Sequence, residues 1–377
     1  MADTALLELP DLSLALSADG SRVAVANPAA DTFDGEAAAW AFDGCALSPS
    51  LAVTGQQVGY GGSLFASAGA LSGDGATFLV TARDHPTAWV FDLEHPGAAP
   101  STLATADGGA GHGRAAALSQ DGALALIGQP LASSGSGPHG AAFLWRRAPG
   151  GWTSVGEADL KLLAPDLSAS GRLGQTVALS ADGAVVAAAA IVRGADQAQR
   201  AAAFLYLREG ETWGTERLPT NTRVRNPHQA LLATSGVPID QTVRVGVAAD
   251  GQTVAFSIAE GGGAVALFVF EADGDGGYGV AASGVDAAVG QRRESVRLRL
   301  TGSPAWRFVF GADASFLLGG DAAGLHEWAR PVGGWAAGVS GPTRRWELAT
   351  FGDLALGDGD AFVAALGADG ALQLLWR

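Results

Sequence analysis

An Asp-Gly turn between two short apolar runs recurs along the chain, and it confines the fold more than any other feature. It reads Ser17-Ala-Asp-Gly20, Ser72-Gly-Asp-Gly75, Ser119-Gln-Asp-Gly122, Ser180-Ala-Asp-Gly183 and Ala248-Ala-Asp-Gly251. Weaker copies follow at Gly311-Ala-Asp-Ala314 and Gly357-Asp-Gly-Asp360. Asp-Gly between apolar runs signals a hairpin, because glycine takes the positive φ that a tight turn needs. After each hairpin comes a third run carrying two large residues two apart. The pairs are Trp40/Phe42, Trp89/Phe91, Phe143/Trp145, Phe204/Tyr206, Phe268/Phe270, His326/Trp328 and Leu374/Trp376. On a strand that spacing puts both side chains on one face. The pairs recur at intervals of roughly 50–60 residues, a period that strands fill as one propeller blade.

These observations predict an all-β fold, a single seven-bladed β-propeller of four-stranded antiparallel blades spanning 1–377. The blades are expected at roughly 11–54, 63–105, 112–164, 173–219, 241–283, 305–340 and 353–377. The last has three strand-like runs. The isolated run Thr4–Leu9 is expected to supply its outer strand, so that the ring is closed by the N-terminal strand. Closure would remove edges that otherwise invite aggregation. The innermost runs, such as Ala68–Leu71, Ala115–Leu118 and Val177–Leu179, are small-residue rich, as the crowded axis of a propeller requires.

The stretches LGQTVALSADGAVVAAAA followed by AAAFLYLREGETW, and GRAAALSQDGALALIGQP followed by GAAFLWRRAPGGW, resemble FG-GAP-type repeats, the style of integrin-alpha-like propellers. The resemblance is best in blades three and four and fades in six and seven. It implies a fold and no single activity, since this architecture hosts adhesion modules, scaffolds, lectins and enzymes. Integrin-like members hold calcium in an acidic loop between strands one and two. Here each such turn carries one aspartate (Asp19, Asp74, Asp121, Asp182, Asp250), whereas calcium takes six to eight oxygens. The aspartates are expected to bond their own turn backbone. No metal and no cofactor are expected.

The formal net charge of −15, with Lys161 the one lysine, points away from nucleic acid as a partner. No run of 18 apolar residues occurs, so no membrane insertion is expected, and the acidic start lacks the basic region of a signal peptide. The chain is expected to be soluble, with its localisation left open. Cys45, the one cysteine, excludes an intrachain disulfide. No nucleophile elbow, phosphate loop or zinc-protease motif selects a reaction.

The two longest stretches between blades, about 220–240 and 284–304, flank blade five and should lie on one face. They carry Arg223, Arg225, His228, Arg292, Arg293, Arg297 and Arg299, an uneven share of the positive charge. A second series, Trp152, Trp213, Tyr278 and Trp335, follows polar turns at the expected starts of fourth strands. The first functional reading is a non-catalytic binding and assembly module that takes a protein partner on the arginine-bearing loops. The second is a carbohydrate-binding or attachment protein stacking sugars on that aromatic series. The third is an enzyme with its site at the central channel.

Overall fold

Short strands form where β-branched and aromatic residues alternate between turn residues, and this chain offers few stretches long enough for anything else. A computed structural model describes residues 13–30, 34–62, 64–107, 110–132, 139–164, 171–193, 199–218, 221–236, 243–259, 264–281, 291–301, 308–311, 313–321, 324–339, 341–346, 353–356, 362–366 and 372–376. The first sheet contains β1 (Ser13–Leu16), β2 (Arg22–Asn27), β3 (Glu36–Phe42) and β4 (Leu47–Thr54). The second contains β5 (Phe65–Leu71), β6 (Thr77–Ala82), β7 (Thr87–Asp92) and β8 (Ser101–Ala104). The third begins with β9 (Ala115–Leu118), β10 (Leu124–Gln129), β11 (Ala141–Arg146) and β12 (Leu160–Leu162). The fourth begins with β13 (Val177–Leu179), β14 (Val185–Arg193) and β15 (Gln199–Glu209), with β16 (Thr212–Trp213) folding back on β15. Two strands, β17 (Thr215–Leu218) and β18 (Asn221–Asn226), then leave for the third sheet before β19 (Gln229–Gly236) completes the fourth.

The fifth sheet is β20 (Arg244–Val247), β21 (Thr253–Ala259), β22 (Ala264–Glu271) and, further on, β25 (Val296–Thr301). Between its last two members, β23 (Val280–Ala281) and β24 (Gln291–Arg293) cross to the fourth sheet. The sixth is β26 (Phe308–Phe310), β27 (Phe316–Asp321), β28 (Gly324–Ala329) and β29 (Arg344–Trp346). A three-stranded sheet ends the chain: β30 (Asp353–Leu356), β31 (Phe362–Leu366) and β32 (Leu372–Trp376).

The all-β propeller is present, but the expectation of seven four-stranded blades is corrected. Six sheets have four or more strands and make six blades; the terminal sheet has three strands among the described residues. It packs between the sixth blade and the first, through Leu354 against Phe316 and Leu318 on one side and Ala355 against Leu14 and Leu16 on the other. Residues 4–9, expected to close the ring, lie outside the described residues.

Strand counts depart from four for a second reason. In blade four the link between third and fourth strands crosses to blade three, where β18 pairs in parallel with β12 and β17 lies outside it. Blade five does the same to blade four, with β24 parallel to β19. Blade three reaches blade two with a single residue: Val155 bridges Leu103 in parallel, through Ala104 N–H to Val155 O and Val155 N–H to Thr102 O, both 2.9 Å. The fourth strands of blades four and five therefore start at 229 and 296, beyond the boundaries expected at 219 and 283, and that of blade six starts at 344, beyond the expected 340 and after the 3-10 turn Trp335–Ala337. Among the described residues, the stretches read as long loops hold strands: β18 and β19 in the first, β24 and β25 in the second.

The core lies in the seams. Successive apolar clusters each join neighbouring sheets, such as Trp89 and Phe91 with Ala24 and Ala39, or Phe204 and Tyr206 with Leu126 and Leu144. The aromatic pairs fill the space that widens away from the axis, and burying one such side chain contributes roughly 2–3 kcal/mol. The Asp-Gly turns gather on one face and bond to one another in order. Ala18 N–H donates to Gly73 O (2.7 Å), Asp74 N–H to Gln120 O, Gln120 N–H to Ala181 O and Ala181 N–H to Ala249 O (2.9 Å each).

Candidate functional site

The Asp-Gly turns of blades one to four are small closed networks. In blade three Ser119 Oγ–H donates to Asp121 Oδ1 (2.7 Å), Ala123 N–H donates to the same oxygen (2.9 Å), and Leu124 N–H donates to Ser119 Oγ (2.9 Å). Blades one, two and four repeat the pattern at Asp19, Asp74 and Asp182. Burial pulls the Asp121 carboxyl up, but the Ser119 hydroxyl, the Ala123 amide and the Arg147 charge together hold it below the usual carboxylate range. The aspartates are turn formers. No group of three or more His, Cys, Asp and Glu placed to hold a metal ion occurs among the described residues.

The aromatic series is built into these turns. The indole N–H of Trp152 donates to Gly122 O (3.0 Å), that of Trp213 to Gly183 O (2.6 Å), and the Tyr278 hydroxyl to Gly251 O (2.5 Å). Trp213 is 1% exposed, Tyr278 5% and Trp335 0%; only Trp152 is half-buried. Burial, with Asp250 and Asp182 nearby, pushes the Tyr278 phenol up to about 12. The buried rings of Trp213, Tyr278 and Trp335 present no face on which a sugar could stack, whereas Trp152 is partly accessible. Trp213 and Tyr278 sit ahead of the crossing strands of blades four and five, Trp152 ahead of the Val155 bridge, and Trp335 in the 3-10 turn Trp335–Ala337 before β29.

The rim arginines hold the crossing segments. Arg225, 5% exposed, donates from Nε to Trp213 O (3.0 Å) and from Nη2 to Gly214 O (2.7 Å), with Glu216 3.7 Å from its Nη1. Arg292 repeats this one blade on, with Nε to Tyr278 O (2.8 Å), Nη2 to Gly279 O (3.1 Å) and an ion pair to Asp273. The amides of Asp275 and Gly277, then Arg292, hold the Asp273 carboxyl below its usual range. His228 accepts at Nδ1 from Leu207 N–H (2.9 Å) and lies 3.0 Å from Glu209 through Nε2. Arg297 stacks over Phe268. Arg223 is exposed and paired with Glu157, and Arg293 shares β24 with Arg292. The expected partner residues thus lie on outer strands and in seams, not together on loops of one face.

The channel along the ring axis has two distinct mouths. The mouth among the Asp-Gly turns, about 320 Å³, is lined by residues such as Ala18, Gly73, Gln120, Ala181, Ala249 and Phe310, none of them charged. The opposite mouth, about 340 Å³, is lined by Ser13, Ser67, Thr176, Val177 and Phe308 together with Arg114 and Arg244. These two arginines are the only charged side chains lining either mouth among the described residues. The sequence reading passed over them, because each stands alone beside a small-residue strand instead of in a basic run.

No family model matches the chain, and no curated protein matches it. Solved structures do match in shape. One is the β-propeller domain of Cps50 (Swd1) from Myceliophteria thermophila, with 11% identity over 97% of this chain and 95% of that one, TM-score 0.58. A second is the periplasmic gluconolactonase of Pseudomonas aeruginosa, with 17% identity over 97% and 88%, TM-score 0.57. A third is a chain of the Mitotic Checkpoint Complex, with 12% identity over 98% and 90%, TM-score 0.54. At such identities the likeness concerns the β-propeller fold alone. No helix of the described residues is long and apolar enough to cross a membrane.

Proposed function

We propose that the chain is a non-catalytic binding and assembly module that takes a protein partner on one face, the face bearing Arg114 and Arg244. The observation that carries this reading is the charge of the channel. In a chain of net charge −15, the only charged side chains lining its mouths among the described residues are two cations at one end. A cleft walled by low-dielectric backbone focuses such charge and steers an acidic surface toward it. A chain of the Mitotic Checkpoint Complex is among the structural neighbours, which supports a protein partner. The repeated Ser-x-Asp-Gly turns and aromatic third strands also support the FG-GAP-type reading of the repeats.

The test is recovery of partners by cross-linking from the native host, using the wild-type chain and an Arg114→Ser/Arg244→Ser variant. A partner retained by the wild type and by Arg223→Ser, but lost from the double variant, is the expected result. Equal retention by the double variant would move the site elsewhere.

A further inference from the structure

Arg114 and Arg244 stand on either side of β13. One directly precedes β9 and the other opens β20. In each case the carbonyl just before the arginine is pinned by a hydroxyl of the preceding blade. Gly113 O accepts from Ser67 Oγ (2.9 Å) and Thr81 Oγ1 (2.8 Å). Val243 O accepts from Thr176 Oγ1 (2.7 Å), and Val245 N–H donates back to that hydroxyl oxygen (3.0 Å). The backbone under both guanidinium groups is therefore fixed before any ligand arrives, which lowers the ordering cost of binding.

We propose that this mouth binds a single anionic group, a carboxylate or phosphate, held between the two guanidinium groups over the start of β13. This rests on the partner reading only for its location. A guanidinium offers a planar fork of donors matched to both groups. The mouth, about 340 Å³, has the volume of a small-ligand pocket and suits a small acid or the acidic tip of a larger molecule. The far end of the channel opposes anions. Asp19, Asp74, Asp121, Asp182, Asp250 and Asp313 are exposed on the turns that surround it. An anion is thus drawn in from the arginine side and repelled from the other.

Calorimetric titration of the full chain with inorganic phosphate, succinate and an acetylated tri-glutamate peptide tests this. Saturable binding is expected for at least one probe. Binding should weaken at least tenfold in Arg114→Ser and in Arg244→Ser, weaken with added salt, and stay unchanged in Arg223→Ser. Tighter binding of the peptide than of phosphate would mark a protein-borne carboxylate as the source, and the reverse order a phosphorylated small molecule. No saturable binding by any probe, or undiminished binding by both variants, overturns the proposal. If the probes do not bind while the double variant still loses its cross-linked partner, the anion site fails and the partner face stands. If the probes bind and partner recovery is unaffected, the anion site stands and the partner face fails.

Discussion

Ala314 occupies the turn position that glycine holds in the first five blades, and its φ of 55° is left-handed like theirs. A Cβ in that region costs about 1 kcal/mol. Ala314→Gly should therefore raise stability by roughly 0.5–1 kcal/mol, read as a shift in the denaturant midpoint at constant slope. A second residue with a definite cost is His112. It is 0% exposed, and neither ring nitrogen has a hydrogen-bond partner among the described residues. Burial is the main cause that pushes its imidazole down to about 4. The unfolded chain takes up a proton near pH 6.5 while the folded chain resists until about pH 4. The contribution is fully present above pH 6.5 and is lost as pH falls through about 4, where the penalty reaches roughly 3 kcal/mol. Urea melts at pH 7, 5 and 4 should show this loss, and His112→Leu should flatten it. A wild-type loss that His112→Leu leaves unchanged would place the titration elsewhere.

At the scale of the element, the repeated unit is a turn, an aromatic lock and a crossing strand. The turn glycine's carbonyl takes the ring N–H or O–H, and the carbonyls of the aromatic residue and of the glycine after it are held by an arginine from the crossing strand. Trp213→Phe keeps the ring packing but removes the bond to Gly183 O, and should cost about 1–2 kcal/mol. Trp213→Ala should cost about 3–5 kcal/mol. Equal losses for the two variants, read from denaturant melts, would show that the bond contributes nothing. The hairpins and the third strands were legible in the sequence because both of their neighbours are known locally: Asp-Gly fixes the turn and alternation fixes the face. The crossing strands were not. β18 reads Asn-Thr-Arg-Val-Arg-Asn, lies at the sheet periphery and is exposed in its first half, so it carries little hydrophobic alternation and resembles a polar loop. Its partner β12 is some sixty residues earlier, a pairing that no local pattern encodes.

For the whole molecule, sequence period gave the propeller, while the complete blade count and the fate of the arginines depended on which sheet each outer strand joined. Two sets of arginines emerge from that geometry. Arg225 and Arg292 satisfy four backbone carbonyls between blades, so removing them exposes those groups to loss of their partners. Arg114 and Arg244 line the channel mouth. Truncating the first pair should cost roughly 6 kcal/mol in total, allowing about 1–2 kcal/mol per carbonyl left unpaired. A chain of this length shifts its melting temperature by roughly 1–2 °C per kcal/mol, so a fall of roughly 6–12 °C is expected. The most direct measurement is thermal melting of Arg225→Ser/Arg292→Ser beside Arg114→Ser/Arg244→Ser, each with and without phosphate. The account predicts that the first variant melts lower than wild type yet gains the wild-type increment from phosphate, while the second gains none. A rim variant that melts like wild type, together with a mouth variant that still gains the full phosphate increment, would contradict it.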